Sequence, residues 1–362
     1  MIAGCRALDR DRYRMLLEAA AHADATSDIS EGAPACLPQT DGGAVEGGCR
    51  LYVVPPRPPG MTDPGADAGV HVFAARHITL GFGVPDVWHQ LGFDRDGYCT
   101  NPGSSPTQGC RPANGLQPVE DGAGGRDDSL ATQVGSLFAT LAFNETDLNS
   151  GIVAGRSTIG ARVIGLGGPD DPQVVVEWFP LVHGRAVDGG AALRWDGSDT
   201  WSVDARLAYD PVNQGRALIR SNAGYTSCGM LVARLPARMP IRFANTRRTV
   251  RLTLSNTLLA GPVDSDGARL GPLDISAIWP LSDALVDMGV FGVCPPGDAG
   301  ATSEWNLTSQ ILLGSCDSLS TGESSPVVPC DAISAAFRVE FEPIGLSPDE
   351  MSPVAPEDLC VR

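Results

Sequence analysis

Two clusters of aspartate at the ends of one loop are the residues of this chain best suited to bind a metal ion. Asp94 and Asp96 precede a glycine, and Asp127 and Asp128 follow a glycine-rich run that begins after Asp121. Carboxylates spaced one residue apart before a glycine suit a hard cation such as Ca²⁺, because alternate side chains can face one centre while glycine permits a sharp turn. The sequence therefore predicts a structural Ca²⁺ site with the candidate ligands Asp94, Asp96, Asp121, Asp127 and Asp128.

The spacing of these carboxylates differs from that of an EF-hand loop. No third aspartate follows Asp96 at the next alternate position, and no glutamate stands at the twelfth position of the loop. The carbonyl oxygen of Tyr98 is a weaker candidate ligand. Two other interpretations remain open: a solvated acidic loop, or capping of the helix predicted to follow Asp128.

A second acidic segment brackets aspartates with two tryptophans. Trp195, Asp199 and Trp201 could bind a glycan, since paired tryptophans with polar neighbours can stack on sugar rings. The alternative is an Asp-Gly hairpin turn whose tryptophans pack across neighbouring strands. The sequence favours the turn, because aromatic cross-strand pairs are common.

Glu340 and Glu342 are the carboxylate pair that could support glycoside hydrolysis. Residues two apart on a strand share a face, and retaining glycosidases need two carboxylates close together. Arg338 lies on the same face of the predicted strand, however, and the apolar residues Val339 and Phe341 lie on the opposite face. This pattern favours a solvent-facing ladder of charges. No nucleophile elbow, P-loop or HExxH motif occurs, so the sequence does not predict catalysis.

The ten cysteines indicate disulfide bonds, because the chain contains no CxxC spacing of a zinc or redox site. Proximity in sequence predicts the pairs Cys36–Cys49 and Cys99–Cys110. The four C-terminal cysteines are predicted to pair among themselves, and Cys228 has no obvious partner. Disulfides imply an oxidising location, which would be the periplasm, the cell surface or the medium, whereas reduced thiols in a cytosolic protein are the alternative. The C-terminal four are Cys294, Cys316, Cys330 and Cys360.

The N-terminus contains no apolar export leader, since residues 6–14 alternate Arg with Asp. Residues 2–5 (Ile-Ala-Gly-Cys) are similar to a bacterial lipobox, in which the new N-terminal cysteine carries lipid. We therefore expect a leader upstream of Met1 and a lipid anchor on Cys5. Lipidation of Cys5 would leave an odd number of cysteines, with Cys228 as the free thiol.

Composition limits the range of partners and reactions. The net charge of −17 argues against a nucleic acid or an anionic membrane as partner. All 26 basic residues are arginine, so no lysine can act as a nucleophile or form a Schiff base. The 43% hydrophobic content is ordinary for a globular protein, and 43 glycines and 29 prolines favour short strands and turns.

Short apolar and β-branched runs between turns predict a mainly β fold, a β-sandwich or jelly roll with a few flanking helices. Three regions are predicted: a helix and disulfide-bearing linker over 1–69, the main domain over 70–345, and an extended tail over 346–362. The predicted helices are 7–23, 129–143, Leu273–Val286 and Asn306–Leu313. The predicted strands are Arg50–Val54, Val70–Leu80, Ile159–Leu166, Val174–Phe179, Trp201–Tyr209, Ala217–Ser221, Met230–Leu235, Thr249–Leu254 and Ile333–Ile344.

These residues resemble those of an uncharacterised family of secreted or lipoprotein-type proteins from GC-rich myxobacteria. The similar elements are the D-x-D-G of residues 94–97, the Asp-Asp of residues 127–128 that opens a helix, the DGSDTW of residues 196–201 and the CDAIS of residues 330–334. The resemblance extends over residues 70–345, and the cysteine-bearing insert between the acidic elements departs from it. The family has no assigned activity, so the resemblance implies an exported location and a layout only.

Together these observations predict an exported protein with a structural or binding role, stabilised by Ca²⁺ and disulfides and without catalytic activity. The rival interpretation is a glycan-binding module or a glycoside-active enzyme that uses the Trp195–Trp201 region with Glu340 and Glu342. Possible partners are a glycan or other envelope proteins. A membrane is expected as a partner only through the lipid on Cys5.

Overall fold

A computed structural model describes most of the chain beyond residue 51. The chain divides into two compact units, Met1–Cys36 and Leu37–Arg362, and the first unit lies outside the described residues. The predicted helix 7–23 and the cysteines Cys5, Cys36 and Cys49 also lie outside them. For residues 242–244 and 249 only the backbone is described. The described residues are 52–60, 69–82, 86–100, 109–112, 116–141, 143–190, 192–204, 217–235, 238–244, 249–264, 267–297, 304–347 and 360.

The described residues form one large sheet and one small sheet. The small sheet pairs β2 with β11 in parallel. The strands are β1 (Val70–Thr79), β2 (Cys110–Arg111), β3 (Ser157–Ile164), β4 (Asp171–Arg185), β5 (Thr200–Val203), β6 (Ile219–Ser227), β7 (Met230–Arg234), β8 (Met239–Ala244), β9 (Thr249–Pro262), β10 (Leu273–Pro280), β11 (Ser325–Pro329), β12 (Ala332–Pro343) and β13 (Gly345–Leu346).

Eight strands of the large sheet close into an antiparallel barrel. The order around the barrel is β4, β3, β1, β12, β10, β9, β7 and β6, and β6 pairs again with β4. Two strands are long enough to pair with two successive strands along the same edge. Along one edge of β4 lie β6 and then β5, and along one edge of β9 lie β8 and then β7. The mainly β prediction is confirmed. The closing pair of β4 with β6 makes a barrel with extra strands, which is not clearly a sandwich or jelly roll.

The barrel interior is filled by the apolar face of each strand. On β12, Phe337, Val339 and Phe341 are buried, while the alternate residues Arg338 and Glu340 reach the outer surface. Burial of apolar side chains at alternate positions is what stabilises such a wall, at about 25 cal/mol for each Å² removed from water. The interior is a packed core that includes Trp178, Ile275 and Phe73.

The described residues contain four α-helices, which lie outside the barrel. A π-helical segment (Leu130–Val134) continues into α1 (Gly135–Thr140), and the others are α2 (Glu145–Val153), α3 (Leu281–Asp287) and α4 (Glu304–Gly314). Phe138 on α1 packs against Trp279 at 6.0 Å and Phe291 at 5.6 Å between ring centroids. The helix after Asp128 is therefore where the sequence predicts it, and aromatic packing fixes it to the wall.

The predicted helix Leu273–Val286 is wrong in its first half. Residues 273–280 are strand β10, which lies between β9 and β12. Nearly all residues of β10 are buried. Its apolar run therefore shows neither the alternation of apolar and polar residues typical of a surface strand nor the single apolar face typical of a surface helix. The sequence reasoning also missed α2, whose N-cap Asn144 accepts a hydrogen bond from the Asp147 backbone.

Candidate metal centre

Three of the five predicted metal ligands come together outside the barrel. One carboxylate oxygen from each of Asp94, Asp96 and Asp127 lies within 4.8 Å of the other two. This separation suits a single ion bound at about 2.3–2.6 Å from each oxygen, since two ligand atoms on one ion are at most about 5 Å apart. Asp127 is buried, at 3% exposure, and the other two are partly buried.

The loop that carries Asp94 and Asp96 is pressed directly against the barrel wall. Gly92 adopts a left-handed conformation (φ 73°), and a Cβ there would lie 2.5 Å from the Ser276 hydroxyl oxygen and 2.6 Å from the Ala336 Cβ. Only glycine fits so close an approach without strain. The next backbone N–H, of Phe93, donates to the Ser276 hydroxyl at 2.7 Å. The wall thus fixes the position at which the acidic residues begin.

Backbone N–H groups orient each of the three carboxylates. Asp94 accepts from the Gly97 N–H at 2.9 Å, and Asp127 accepts from the Arg95 N–H at 2.7 Å. Asp96 accepts from Tyr98 at 2.8 Å through one oxygen and from Gly109 at 2.9 Å through the other. A carboxylate oxygen has two lone pairs, so these bonds hold the side chains in place and leave capacity for a cation.

The cluster concentrates negative charge in a poorly solvated place. Burial raises the pKa of Asp94 to about 7, with a further rise from Asp96, against the hydrogen bond from Gly97. Burial is also the main cause that raises the pKa of Asp96, and it raises that of Asp127 well above its usual range, where neighbouring carboxylates add to it. Carboxylates removed from water and facing one another need either protons or a cation.

Two more aspartates border this cluster. Asp121 accepts from the Thr100 N–H at 2.5 Å; burial first, and then Asp96 and Asp317, raise its pKa to about 8. Burial raises the pKa of Asp317 to about 7, with a smaller contribution from Asp96. Asp121 is thus next to the trio, although its oxygens do not join the group that lies within 4.8 Å. Sequence reasoning missed Asp317, which is distant in the chain and has no acidic motif around it.

Asp128 has a different role from the one predicted, and it shares that role with Asp317. The first half of β12 extends beyond the end of β1, so its backbone N–H groups on that side pair with no strand among the described residues. Asp128 accepts from the Ala336 N–H at 3.1 Å, and Asp317 accepts from the Ser334 N–H at 2.7 Å. The two carboxylates replace the missing strand, and Asp128 also accepts from Ala131 at 3.2 Å, as the helix-capping interpretation expects.

The disulfides differ from the predicted ones. Cys110 is bonded to Cys330, so the prediction of Cys99–Cys110 is wrong. Cys294 is bonded to Cys360, as pairing within the C-terminal group allows. Cys316 of that group is instead a free, buried thiol. Pairing follows distance in space, and β2 and β11 bring Cys110 beside Cys330 although the two are 220 residues apart.

Two further cysteines are in disulfides, and one of them contradicts an expectation. Cys228 is disulfide-bonded, so the prediction that it is the free thiol is wrong. Cys99 is disulfide-bonded as well, although its partner is not Cys110. The predicted pair Cys36–Cys49 lies outside the described residues.

The tryptophans of the second acidic segment are inside the protein. Trp201 is fully buried and Trp195 is 9% exposed, with ring centroids 5.8 Å apart. Asp199, also fully buried, accepts from the backbone N–H groups of Arg194 at 3.1 Å and Trp195 at 2.6 Å. A buried ring cannot stack on a sugar, which argues against the glycan-binding interpretation of Trp195, Asp199 and Trp201. The two rings pack against each other inside the protein, but the turn does not form the expected hairpin, because β5 pairs with β4 and β13.

Glu340 and Glu342 project from the outer face of β12, as a charged ladder does. Glu342 is paired with Arg76 at 3.2 Å, and a Glu340 oxygen lies 4.0 Å from His77 Nδ1, which is too long for a hydrogen bond. These carboxylates and the buried tryptophans do not form a common sugar-binding surface.

None of the protein-family models, curated proteins and solved structures compared with this chain matches it. Among the helices of the described part, none combines the length and the apolar character that crossing a membrane requires.

Proposed function

We propose that this chain is an exported protein with a structural or binding role, in which Asp94, Asp96 and Asp127 bind Ca²⁺. The observation that carries the metal proposal is the 4.8 Å grouping of the three carboxylates. All the donors are oxygens with formal negative charge, which is the set that a hard cation prefers. Calcium takes six to eight oxygens, so water molecules would complete its coordination.

The charge balance of the cluster supports a cation. Asp96, Asp121, Asp127 and Asp317 repel one another in a region where burial already disfavours the ionised form. Arg95 is a positive group near these carboxylates: both Asp127 and Asp94 attract its guanidinium, although burial, the largest cause, and then Arg234 lower its pKa to about 10. A single arginine does not balance the cluster, whereas a divalent ion among three carboxylates would.

The role of the ion would be structural. It would join the segment at 94–96, which lies against β10 and β12, to Asp127 at the start of the π-helical segment. The cation would therefore fasten an external loop at the place where β12 lacks a strand neighbour. Catalysis is not part of the proposal.

Export is proposed from the cysteines. Disulfide bonds persist in oxidising compartments and are rare in the cytosol. The bonds Cys110–Cys330 and Cys294–Cys360 therefore support export. The lipid anchor on Cys5, the location at the periplasm or cell surface and the relationship to the myxobacterial family are parts of the same proposal. An in-frame apolar leader in the codons upstream of Met1 would support them, and its absence would count against the anchor.

Thermal melting with saturating CaCl₂ or with excess EDTA tests the metal proposal. We expect Ca²⁺ to raise the melting temperature of the wild-type protein and EDTA to remove the increase, because a ligand that binds only the folded state stabilises it. Asp94→Ala should lose the increase.

The matched control is Asp196→Ala, which removes an exposed carboxylate that accepts from Ser198 in a distant turn. This variant should keep the full response to Ca²⁺. A wild-type protein whose melting temperature is the same in Ca²⁺ and in EDTA would refute the proposal.

A further inference from the structure

A groove between α2 and β1 lies away from the acidic cluster. Its volume is about 650 Å³, and α2 supplies most of its lining. Small-molecule sites commonly have volumes of about 300–1,000 Å³. The residues that line it are His77, Glu145, Thr146, Asn149, Ser150, Val153, Ala154 and Ala192.

The walls of this groove are held rigidly. The Asn149 side chain accepts from the Ile78 N–H at 2.9 Å and donates to the Ile78 carbonyl at 2.8 Å, as a neighbouring strand would. One oxygen of Glu145 accepts from the backbone N–H groups of Leu80 at 2.7 Å and Gly81 at 3.1 Å. Helix α2 is thus fastened to β1 along its length, so a ligand would not have to order the site.

Several polar groups line the groove: the carboxylate of Glu145, one oxygen of which accepts from Leu80 and Gly81, the hydroxyls of Thr146 and Ser150, and His77 Nδ1. Of these, His77 Nδ1 is shielded from solvent and has no hydrogen-bond partner among the described residues. Glu340, opposite His77 on β12, adds a carboxylate that is half exposed. Most of these atoms accept hydrogen bonds, and none of the described residues that line the groove is an arginine.

The rest of the lining is aliphatic. Val153 is 54% exposed, and Ala154 and Ala192 are exposed beside it. A ligand that fits would have a positively charged donor for the carboxylate and the hydroxyls, and a hydrocarbon chain for the aliphatic surface. A phosphate, a carboxylate or a nucleotide would meet only negative charge, in a chain whose net charge is −17.

We propose that this groove binds a linear aliphatic amine, with an ammonium group at Glu145 and Ser150 and methylene groups over Val153. The site lies apart from the proposed Ca²⁺ site and does not depend on it. It gives the binding role a ligand class that the buried tryptophans do not supply.

Isothermal titration calorimetry with 1,4-diaminobutane tests this proposal, and 1,4-butanediol is the matched probe without charge. We expect saturable binding of one diamine per chain with a dissociation constant of roughly 1 mM, the range open to a ligand of so few atoms, and no binding of the diol. Ser150→Phe adds bulk to an exposed helix position and should weaken diamine binding at least about tenfold.

Glu340→Gln should weaken diamine binding about fivefold through the loss of one nearby charge. Glu342→Gln is the matched control on the same strand, and it should leave binding within about twofold because Arg76 already neutralises that carboxylate. Asp127→Asn should not change diamine binding, which separates this site from the acidic cluster. Absence of saturable binding, equal binding of the diol, or unchanged binding in Ser150→Phe would each overturn the proposal.

Discussion

Replacing Asp127 by asparagine should change stability in opposite directions with and without Ca²⁺. Asparagine keeps the shape of the side chain and an oxygen that can accept from the Arg95 N–H, which lies 2.7 Å from Asp127 Oδ2. It removes one negative charge from the trio Asp94, Asp96 and Asp127, whose carboxylate oxygens lie within 4.8 Å of one another. In EDTA the substitution should therefore relieve repulsion, whereas in Ca²⁺ it should remove a ligand.

The magnitude follows from the distances. Two unit charges 4.8 Å apart repel by about 3.5 kcal/mol at an effective dielectric constant of about 20. Proton uptake by Asp127 itself, whose pKa burial raises well above its usual range, and by Asp94, whose pKa burial raises to about 7, reduces the gain, as does the lost attraction to Arg95. We expect Asp127→Asn to stabilise the EDTA-treated protein by about 1–2 kcal/mol at mildly alkaline pH, which for a unit of this size corresponds to an increase of about 1.5–3 °C in melting temperature.

With Ca²⁺ the order of stability should reverse. At a Ca²⁺ concentration about 100 times the dissociation constant the wild-type protein gains about 2.7 kcal/mol, or roughly 4 °C, and Asp127→Asn should gain almost none of this. The assay is differential scanning calorimetry of both proteins in EDTA and in CaCl₂. If Asp127→Asn melted below the wild type in EDTA and still responded fully to Ca²⁺, both the repulsion and the ligand role of Asp127 would be refuted.

Three other expectations follow from buried groups and the disulfides. In EDTA the melting temperature should fall as pH rises from about 4 to about 8, because burial raises the folded-state pKa of Asp121 to about 8 and of Asp317 to about 7, and the stability that is fully present below the unfolded-state pKa of about 4 is lost as pH rises to these values. Replacing Cys110 and Cys330 by serine should cost about 5 kcal/mol in urea unfolding, since the bond joins residues 220 apart. Asp287→Ala should cost about 3 kcal/mol in the same assay, because its carboxylate accepts from Arg251, Thr253 and Trp279.

Each of these expectations has a control and a contrary outcome. Saturating Ca²⁺ should flatten the fall with pH, since the ion replaces the protons, and a melting temperature that rises with pH in EDTA would contradict the charge argument. The double serine variant at Cys294 and Cys360 should cost about 1 kcal/mol less than the other pair, because those residues are 66 apart. Asp283→Ala removes only a partner of the exposed Arg238, so a cost equal to that of Asp287→Ala would contradict the role of burial.

The extent to which sequence predicts this fold depends on how each element is patterned. Val70–Thr79 and Ala332–Pro343 alternate or carry long β-branched runs, and both are strands as predicted. Residues 273–280 are buried on both faces, and a continuous apolar run of that kind fits a helix as well as a strand. The same limit explains why a sandwich is expected where a barrel forms: strand patterns do not encode the pairing of β4 with β6.

The candidate metal centre shows a similar division. The D-x-D-G element and the Asp127 segment could be recognised, because carboxylate spacing is a local property. The separation of Asp128 from the trio could not, since it depends on β12 extending past the end of β1. Asp317 borders the cluster only because the chain returns to it nearly two hundred residues after Asp127, and nothing near Asp317 in sequence signals this.

The sequence by itself determined a mainly β, acidic, disulfide-bonded protein with an aspartate-rich loop before a helix. Composition and local pattern carry this information, because strand propensity, turn residues and carboxylate spacing act over a few residues. Tertiary structure alone decided that Cys110 bonds Cys330, that Trp195 and Trp201 are buried, and which aspartates face one another. These depend on which surfaces meet when the barrel closes, and such contacts between distant residues leave no local pattern in the chain.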